Sequence, residues 1–163
     1  MKHRGATYKL LYGEEEGEHI SRAQSMAVRA GTMLQKAIQS LAPAAEYQAR
    51  LSDPSRHRVL RADLVSDGLA IELKLGFEFD TKKAAREVED IQNFARLLSV
   101  REQREIKPAI CLFQASDSAD MKGFKTDTSG VQMMTGRDLC RLLGITYEAV
   151  LDLVRSYVAE ARQ

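Results

Sequence analysis

The chain has only two cysteines, Cys111 and Cys140, and neither a CxxC pair nor a Cys/His cluster. Both lie in apolar contexts, so they read as buried free thiols of a cytosolic protein, with a disulfide between them as the lesser alternative. A zinc site is not expected. Long apolar runs are also missing. No stretch approaches the length that spans a bilayer, and Met1 to Glu18 is polar and charged with no h-region. Neither a transmembrane helix nor a signal peptide is expected, and the expected location is the cytoplasm. There is no internal repeat and no low-complexity tract. A strong charge of one sign is absent too, since the net charge is +1. That balance does not announce a nucleic-acid binder, nor does it exclude one, because the charge is unevenly placed. Glu14, Glu15, Glu16 and Glu18 form an acidic run, whereas Arg50, Arg56, Arg58 and Arg61 cluster further on. The acidic run reads as solvated surface. The arginines lean towards function.

What is present fits one domain. The 163 residues can bury one sizeable core, and 44% hydrophobic with 29% charged residues is an ordinary globular balance. Residues 1–19 read as an extension, with a short strand at Tyr8–Tyr12, and residues 20–163 as the domain. Apolar positions recur at three-four spacing from Ala23 to Leu41, which predicts a helix over Ile20–Leu41 capped by Ser21 and stopped by Pro43. Gly31 within it either admits a close neighbour or is merely tolerated. A strand follows at Glu46–Leu51, a turn at Asp53-Pro54, and strands at Arg58–Ser66 and Leu69–Leu75. Asp80 or Thr81 caps a second helix from Lys82 to Val100. After Pro108, the run Ala109–Phe113 suits a buried strand. A short strand at Val131–Met134 leads to a helix capped by Thr135 or Gly136, then a final helix from Ile145 to Ala161. The order predicts an α/β or α+β domain with a central mixed sheet flanked by helices, its core in residues 20–115 and a C-terminal helical pair in 135–163.

The chemistry concentrates in one hairpin. Asp67-Gly68 is a strong signal for a type I′ turn, which needs φ > 0 at both central positions. Counting outward pairs Ser66 with Leu69, Val65 with Ala70, Leu64 with Ile71 and Asp63 with Glu72. Two carboxylates opposite each other are destabilising unless compensated, and a hard divalent cation would compensate them. Lys74 shares a strand face with Glu72 and Ala70, while Leu69, Ile71, Leu73 and Leu75 face the other way. Paired carboxylates on a metal, with a lysine beside them, are what phosphodiester hydrolysis needs: a positioned water, neutralised phosphate charge and help for the leaving oxygen. Asp63 and Glu72 would hold one or two Mg²⁺, with the carbonyl of Leu73 in reach. Lys74 would act as base or as electrostatic clamp, and the sequence leaves that open. Asp67 is explained by the turn and stays outside the site. A Glu-x-Lys strand on an ordinary half-exposed sheet is the competing reading.

Asp63-x8-Glu72-Leu73-Lys74, behind one helix and ahead of another, resembles the PD-(D/E)xK nuclease superfamily and, within it, type II restriction endonucleases. The resemblance implies a restriction-endonuclease-like core of helix, three strands, helix and strand, and carries over Asp63, Glu72 and Lys74 as metal-binding and catalytic residues. Arg29-Ala-Gly-Thr-Met-Leu-Gln-Lys36 is similar to the Arg-x-Gly-x-x-Leu-Glu helix of many restriction enzymes, with Gln35 where an acid is usual. Glu46 and Glu18 are the candidates for a third carboxylate. Ala62 stands where the superfamily's name has proline.

Candidate DNA contacts are Arg58 and Arg61 on the Asp63 strand, Arg61 expected across from Lys74, and Lys82, Lys83 and Arg86 at the start of the second helix. Gln92 resembles a conserved glutamine of related exonucleases. Solvated surface is the alternative for each of these helix positions. The C-terminal pair can be read as a helix-turn-helix, but Glu148 and Asp152 equip it poorly for a major groove, and its apolar positions point to core packing or a dimer interface. The expected activity is a Mg²⁺-dependent endonuclease on double-stranded DNA, of the type II restriction kind and acting as a homodimer. A Holliday-junction resolvase or repair nuclease, and a catalytically silent DNA-binding or assembly protein, are the alternatives. Base readout is expected from the loops Gly76–Thr81 and Ser116–Gly130.

Overall fold

Asp67 and Gly68 take φ of 48° and 75°, both positive, as a type I′ turn requires. The hairpin they close is the middle of a computed structural model that describes residues 13–75, 81–115, 127–161 and 163. In chain order the elements are α1 Glu14–Leu41, β1 Glu46–Asp53, β2 Arg58–Ser66, β3 Leu69–Lys74, α2 Thr81–Glu102, β4 Lys107–Leu112, β5 Gln132–Thr135, α3 Gly136–Leu143 and α4 Tyr147–Ala161. The five strands lie side by side in sequence order. β1–β2 and β2–β3 are antiparallel, and β3–β4 and β4–β5 are parallel. The result is an α+β domain with a mixed sheet, as the pattern of elements predicts.

Helices cover both faces of the sheet. Val88, Ile91, Phe94, Ala95 and Leu98 of α2 pack on Leu60, Ala62, Ala70, Ile110 and Leu112. Leu34, Ala37 and Ile38 of α1, Leu139 and Cys140 of α3 and Val150 of α4 pack on Leu64, Ile71, Leu73, Ala109 and Cys111. A strand buried on both faces loses its polar alternation, which is why Ala109–Phe113 reads as one apolar run. The C-terminal pair is therefore part of the second core layer. Among the described residues no helix is long and apolar enough to cross a membrane. Both cysteines are free and buried, and burial pushes both thiols upward, that of Cys140 to about 11.

Several boundaries differ from the sequence expectation for local reasons. α1 starts at Glu14, not at a Ser21 cap, so the boundary expected after residue 19 falls inside a helix. Its first turn holds Glu14, Glu15 and Glu16, which suit the positive end of the helix dipole. The strand expected at Tyr8–Tyr12 and the cap expected at Asp80 lie outside the described residues, and Thr81, the other expected cap, is the first residue of α2. β1 runs on to Asp53, whose Oδ1 accepts from the Ser55 N–H (3.0 Å) and hydroxyl (2.6 Å) and so builds the turn. β4 includes Pro108 because Lys107 donates to Gly68 (2.8 Å) and β5 begins only opposite Ala109, leaving no ladder bond for a missing N–H. Thr135 caps α3 through a reciprocal box with Asp138, and Gly144 ends it at φ 70°. Thr146 then accepts from the Ala149 N–H (3.2 Å) to open α4.

Two glycines respond oppositely to a methyl group. A Cβ at Gly136 would sit 2.3 Å from the Phe113 carbonyl oxygen and 2.8 Å from its ring, whereas one at Gly31 meets nothing within 4 Å among the described residues. Gly31 is thus tolerated rather than required by packing. Gly136→Ala is expected to destabilise by about 2–3 kcal/mol. Gly31→Ala is expected to stabilise by about 0.5–1 kcal/mol. Urea unfolding midpoints check both, and shifts of the same sign would contradict the packing described.

Candidate active site

β2 and β3 separate at the residues that carry the chemistry. Their ladder pairs Ser66 with Leu69, Val65 with Ala70 and Leu64 with Ile71, as counted from the turn, and ends there. Asp63 does not continue it opposite Glu72. The reason lies across the hairpin, at Gln48, whose φ is 52°. On one side of this step Ala49 and Ala62 pack under α2; on the other Tyr47 and Leu64 pack towards α1. The facing of both strands inverts there, and Asp63 is turned towards the β3 edge. Its Oδ2 accepts from the Leu73 N–H (2.8 Å). Its Oδ1 accepts from Gln35 Nε2 (3.1 Å) and Gln48 Nε2 (3.3 Å), and Gln48 also donates to Gln35 Oε1 (2.9 Å). Gln35, in the place where an acid is usual, thus holds Asp63 as a hydrogen-bond donor.

β3 keeps its alternation and sets Glu72 and Lys74 on the α2 side. Lys74 Nζ lies 2.9 Å from Glu72 Oε1 and 2.7 Å from Glu87 Oε1. All three side chains are about one-fifth exposed or less. Glu87 Oε2 is buried and makes no hydrogen bond among the described residues. The Lys74 carbonyl accepts from the N–H of Phe113, just after β4 (2.8 Å). Bonding edges alternate along a strand, so the Leu73 carbonyl points to the β2 side, beside Asp63.

The electrostatics follow from this crowding. Burial, then the charge of Asp63, push Glu72 up to about 7 against the pull of Lys74. Burial works to lower Lys74, but the charge of Glu72 and the hydrogen bonds that Lys74 donates to Glu87 and Glu72 outweigh it and raise the pKa, keeping an ammonium. Among the described residues no three His, Cys, Asp or Glu side chains form a metal-holding group. A cation here would rest on Asp63, Glu72, the Leu73 carbonyl and water, a set of hard oxygen donors that suits Mg²⁺, which commonly keeps several waters. The charge that raises Glu72 is what such a cation would offset.

Other expected residues fall elsewhere. Arg58 is half-buried against Asp90. Arg61 is exposed and lies opposite Arg50, not Lys74. Lys83 and Arg86 are exposed on the first turns of α2, and the Lys82 side chain is outside the described residues. Gln92 donates to the Ser129 carbonyl (2.9 Å), tying α2 to the segment before β5. Glu18 pairs with Arg22 (2.6 Å) and Glu46 sits opposite Val65; the further carboxylate beside Lys74 is Glu87. Residues 76–80 and 116–126 of the expected readout loops lie outside the described residues. Glu87 had one sequence signal: it interrupts the stripe Ala84, Val88, Ile91, Ala95 at a stripe position. Gln48 had none.

Comparison with known proteins finds a similarity to a type II restriction enzyme, HhaII, of Haemophilus parahaemolyticus. The two are 41% identical over 86 residues, which make up 52% of this chain and 38% of that enzyme. The match therefore spans well under half of the relative's length. No family model matches the chain, and no solved structure matches it.

Proposed function

We propose that this chain is a Mg²⁺-dependent endonuclease of the PD-(D/E)xK kind, cutting double-stranded DNA as a type II restriction enzyme does. The observation that carries the reading is the meeting of Asp63, Glu72 and Lys74 where β2 leaves β3. The similarity over 86 residues to a type II restriction enzyme supports it, as does the order helix, three strands, helix, strand from α1 to β4.

Asp63, Glu72 and the Leu73 carbonyl would hold the cation. Bound there, it would supply Lewis-acid polarisation of the phosphate and a water of lowered pKa. The remaining work is done by the chain itself. Gln35, Gln48 and the Leu73 N–H fix the Asp63 carboxylate in one orientation, so little reorganisation is needed when the phosphate arrives. Lys74, kept as an ammonium, faces the same space and neutralises charge on a phosphate oxygen. Glu87 acts through Lys74 as a positioning residue. The described residues form one such site, so cutting both strands of a duplex calls for two copies, and a two-fold dimer on a palindromic sequence is the simplest arrangement.

The test is incubation of the purified chain with mixed plasmid and genomic DNA in Mg²⁺, followed by sequencing of the ends. Discrete ends sharing one sequence are expected, and EDTA is expected to stop the reaction. Random ends, cutting only at branched junctions, or no cutting would overturn the restriction reading.

A further inference from the structure

The arginines clustered between residues 50 and 61 are not equivalent. Arg56 pairs with Glu89 (2.7 Å) and lies 3.9 Å from Asp53, and Arg58 pairs with Asp90. Those two fasten the outer end of the β1–β2 hairpin to α2. Arg50 and Arg61 differ in every respect. They stand directly opposite each other in the β1–β2 ladder, both are exposed, and neither makes an ion pair among the described residues. Two like charges at one cross-strand position repel, and Arg keeps its charge at any working pH.

Their neighbours show where they point. Ala49, Leu51, Leu60 and Ala62 pack under α2. By strand alternation Arg50 and Arg61 therefore lie on the other face, with Ser52 and Val59, also an opposed pair. Among the described residues nothing covers that face, since Ser52 is exposed and Val59 is 53% exposed. The next step along the two strands is Gln48 and Asp63, where the site begins. A cationic pair thus stands two residues from Asp63, about 7 Å along a strand, on the face away from α2, whereas Glu72 and Lys74 lie on the α2 side, so the pair flanks the site at Asp63.

We propose that Arg50 and Arg61 form a phosphate clamp that grips the DNA backbone on the Asp63 flank of the site, the strand running along the exposed outer face of the β1–β2 hairpin. This rests on the nuclease reading and adds to it the surface on which the duplex lies. An anion between the two guanidinium groups turns their repulsion into a bidentate site, the geometry for which Arg is suited. Phosphate contacts position the duplex and carry no base information, so the clamp acts on all sequences alike.

The test uses the full chain, a labelled 30-base-pair duplex and Ca²⁺ in place of Mg²⁺, with affinity measured from 50 to 200 mM KCl. The double variant Arg50→Gln/Arg61→Gln is expected to bind about 10–100-fold more weakly, and its log K against log salt slope to fall by about 2, close to 0.9 per lost phosphate contact. The loss should be equal on specific and random duplexes. Arg56→Gln, whose partner is Glu89, should leave the slope unchanged. The thermal midpoint of the free double variant should be equal to or above the parent's, since the repulsion is gone. A double variant with the parent's affinity and slope overturns the clamp even if the parent cuts DNA. A parent that neither binds nor cuts DNA overturns the nuclease reading itself.

Discussion

Glu72→Gln is expected to abolish cleavage and yet to stabilise the metal-free protein by about 1–3 kcal/mol above pH 7. The two effects have one cause. Glu72 is held up to about 7 by burial and by the charge of Asp63, so the folded state resists its ionisation. The sign follows from linkage. An acid whose pKa is higher folded than unfolded holds its proton more tightly in the folded state, so stability declines as pH rises from about 4.5 to about 7 and the loss is complete above that. A neutral amide removes this decline. It also weakens the 2.9 Å ion pair with Lys74, which offsets part of the gain. Glu87 keeps Lys74 partnered, so the cation is not stranded.

Urea unfolding between pH 4.5 and 8.5, with EDTA and then with Mg²⁺, separates these effects. With EDTA the parent should lose stability through that window and the variant should not. With Mg²⁺ the parent should recover and the variant should gain little, because one of its two carboxylate donors is gone. If the variant showed the same pH slope as the parent, or still cut DNA, Glu72 would be an ordinary strand carboxylate. A binding site that costs stability when empty is the usual signature of function.

How far such a site can be seen in advance depends on what marks it. Asp67-Gly68 names its own turn, and the three ladder pairs counted from it are those found. The apolar run Ala109–Phe113, the cap at Thr135 and the break at Gly144 are equally local signals, and each corresponds to an element. The fourth pair, Asp63 with Glu72, failed because Gln48 adopts φ 52° with nothing in its residue type to announce it. A positive φ is usually flagged by Gly, Asn or Asp, and without that flag the inversion of facing at Asp63 was invisible. The roles of the arginines were hidden for another reason. Arg58 meets Asp90 across 32 residues of chain, and only the docking of α2 on β2 makes them neighbours. Charge clustering in sequence could not tell the paired Arg56 and Arg58 from Arg50 and Arg61, which make no ion pair among the described residues.

Glu87→Ala is expected to lower kcat by about 10²–10³-fold with little change in DNA affinity. Lys74 has a long flexible stem, and a catalytic ammonium must be held in one place. Glu72 alone would draw it back towards the carboxylates. Glu87 Oε1, 2.7 Å away on α2, pulls from another element and sets Nζ between the two. Among the described residues its second oxygen is buried without a hydrogen bond, a cost that no packing role explains. Glu87→Gln keeps an acceptor at the same reach without the charge, so it should retain much of the activity, losing about 10-fold. A merely structural role predicts the reverse pattern, with both variants losing stability and kcat falling only through loss of folded protein. The deciding measurement is a double-mutant cycle with Lys74→Ala, read as single-turnover cleavage rate at saturating DNA. If Glu87 works through Lys74, removing it after Lys74 is gone should change the rate by less than about threefold. Independent, multiplying losses would mean that Glu87 acts on the phosphate by another route.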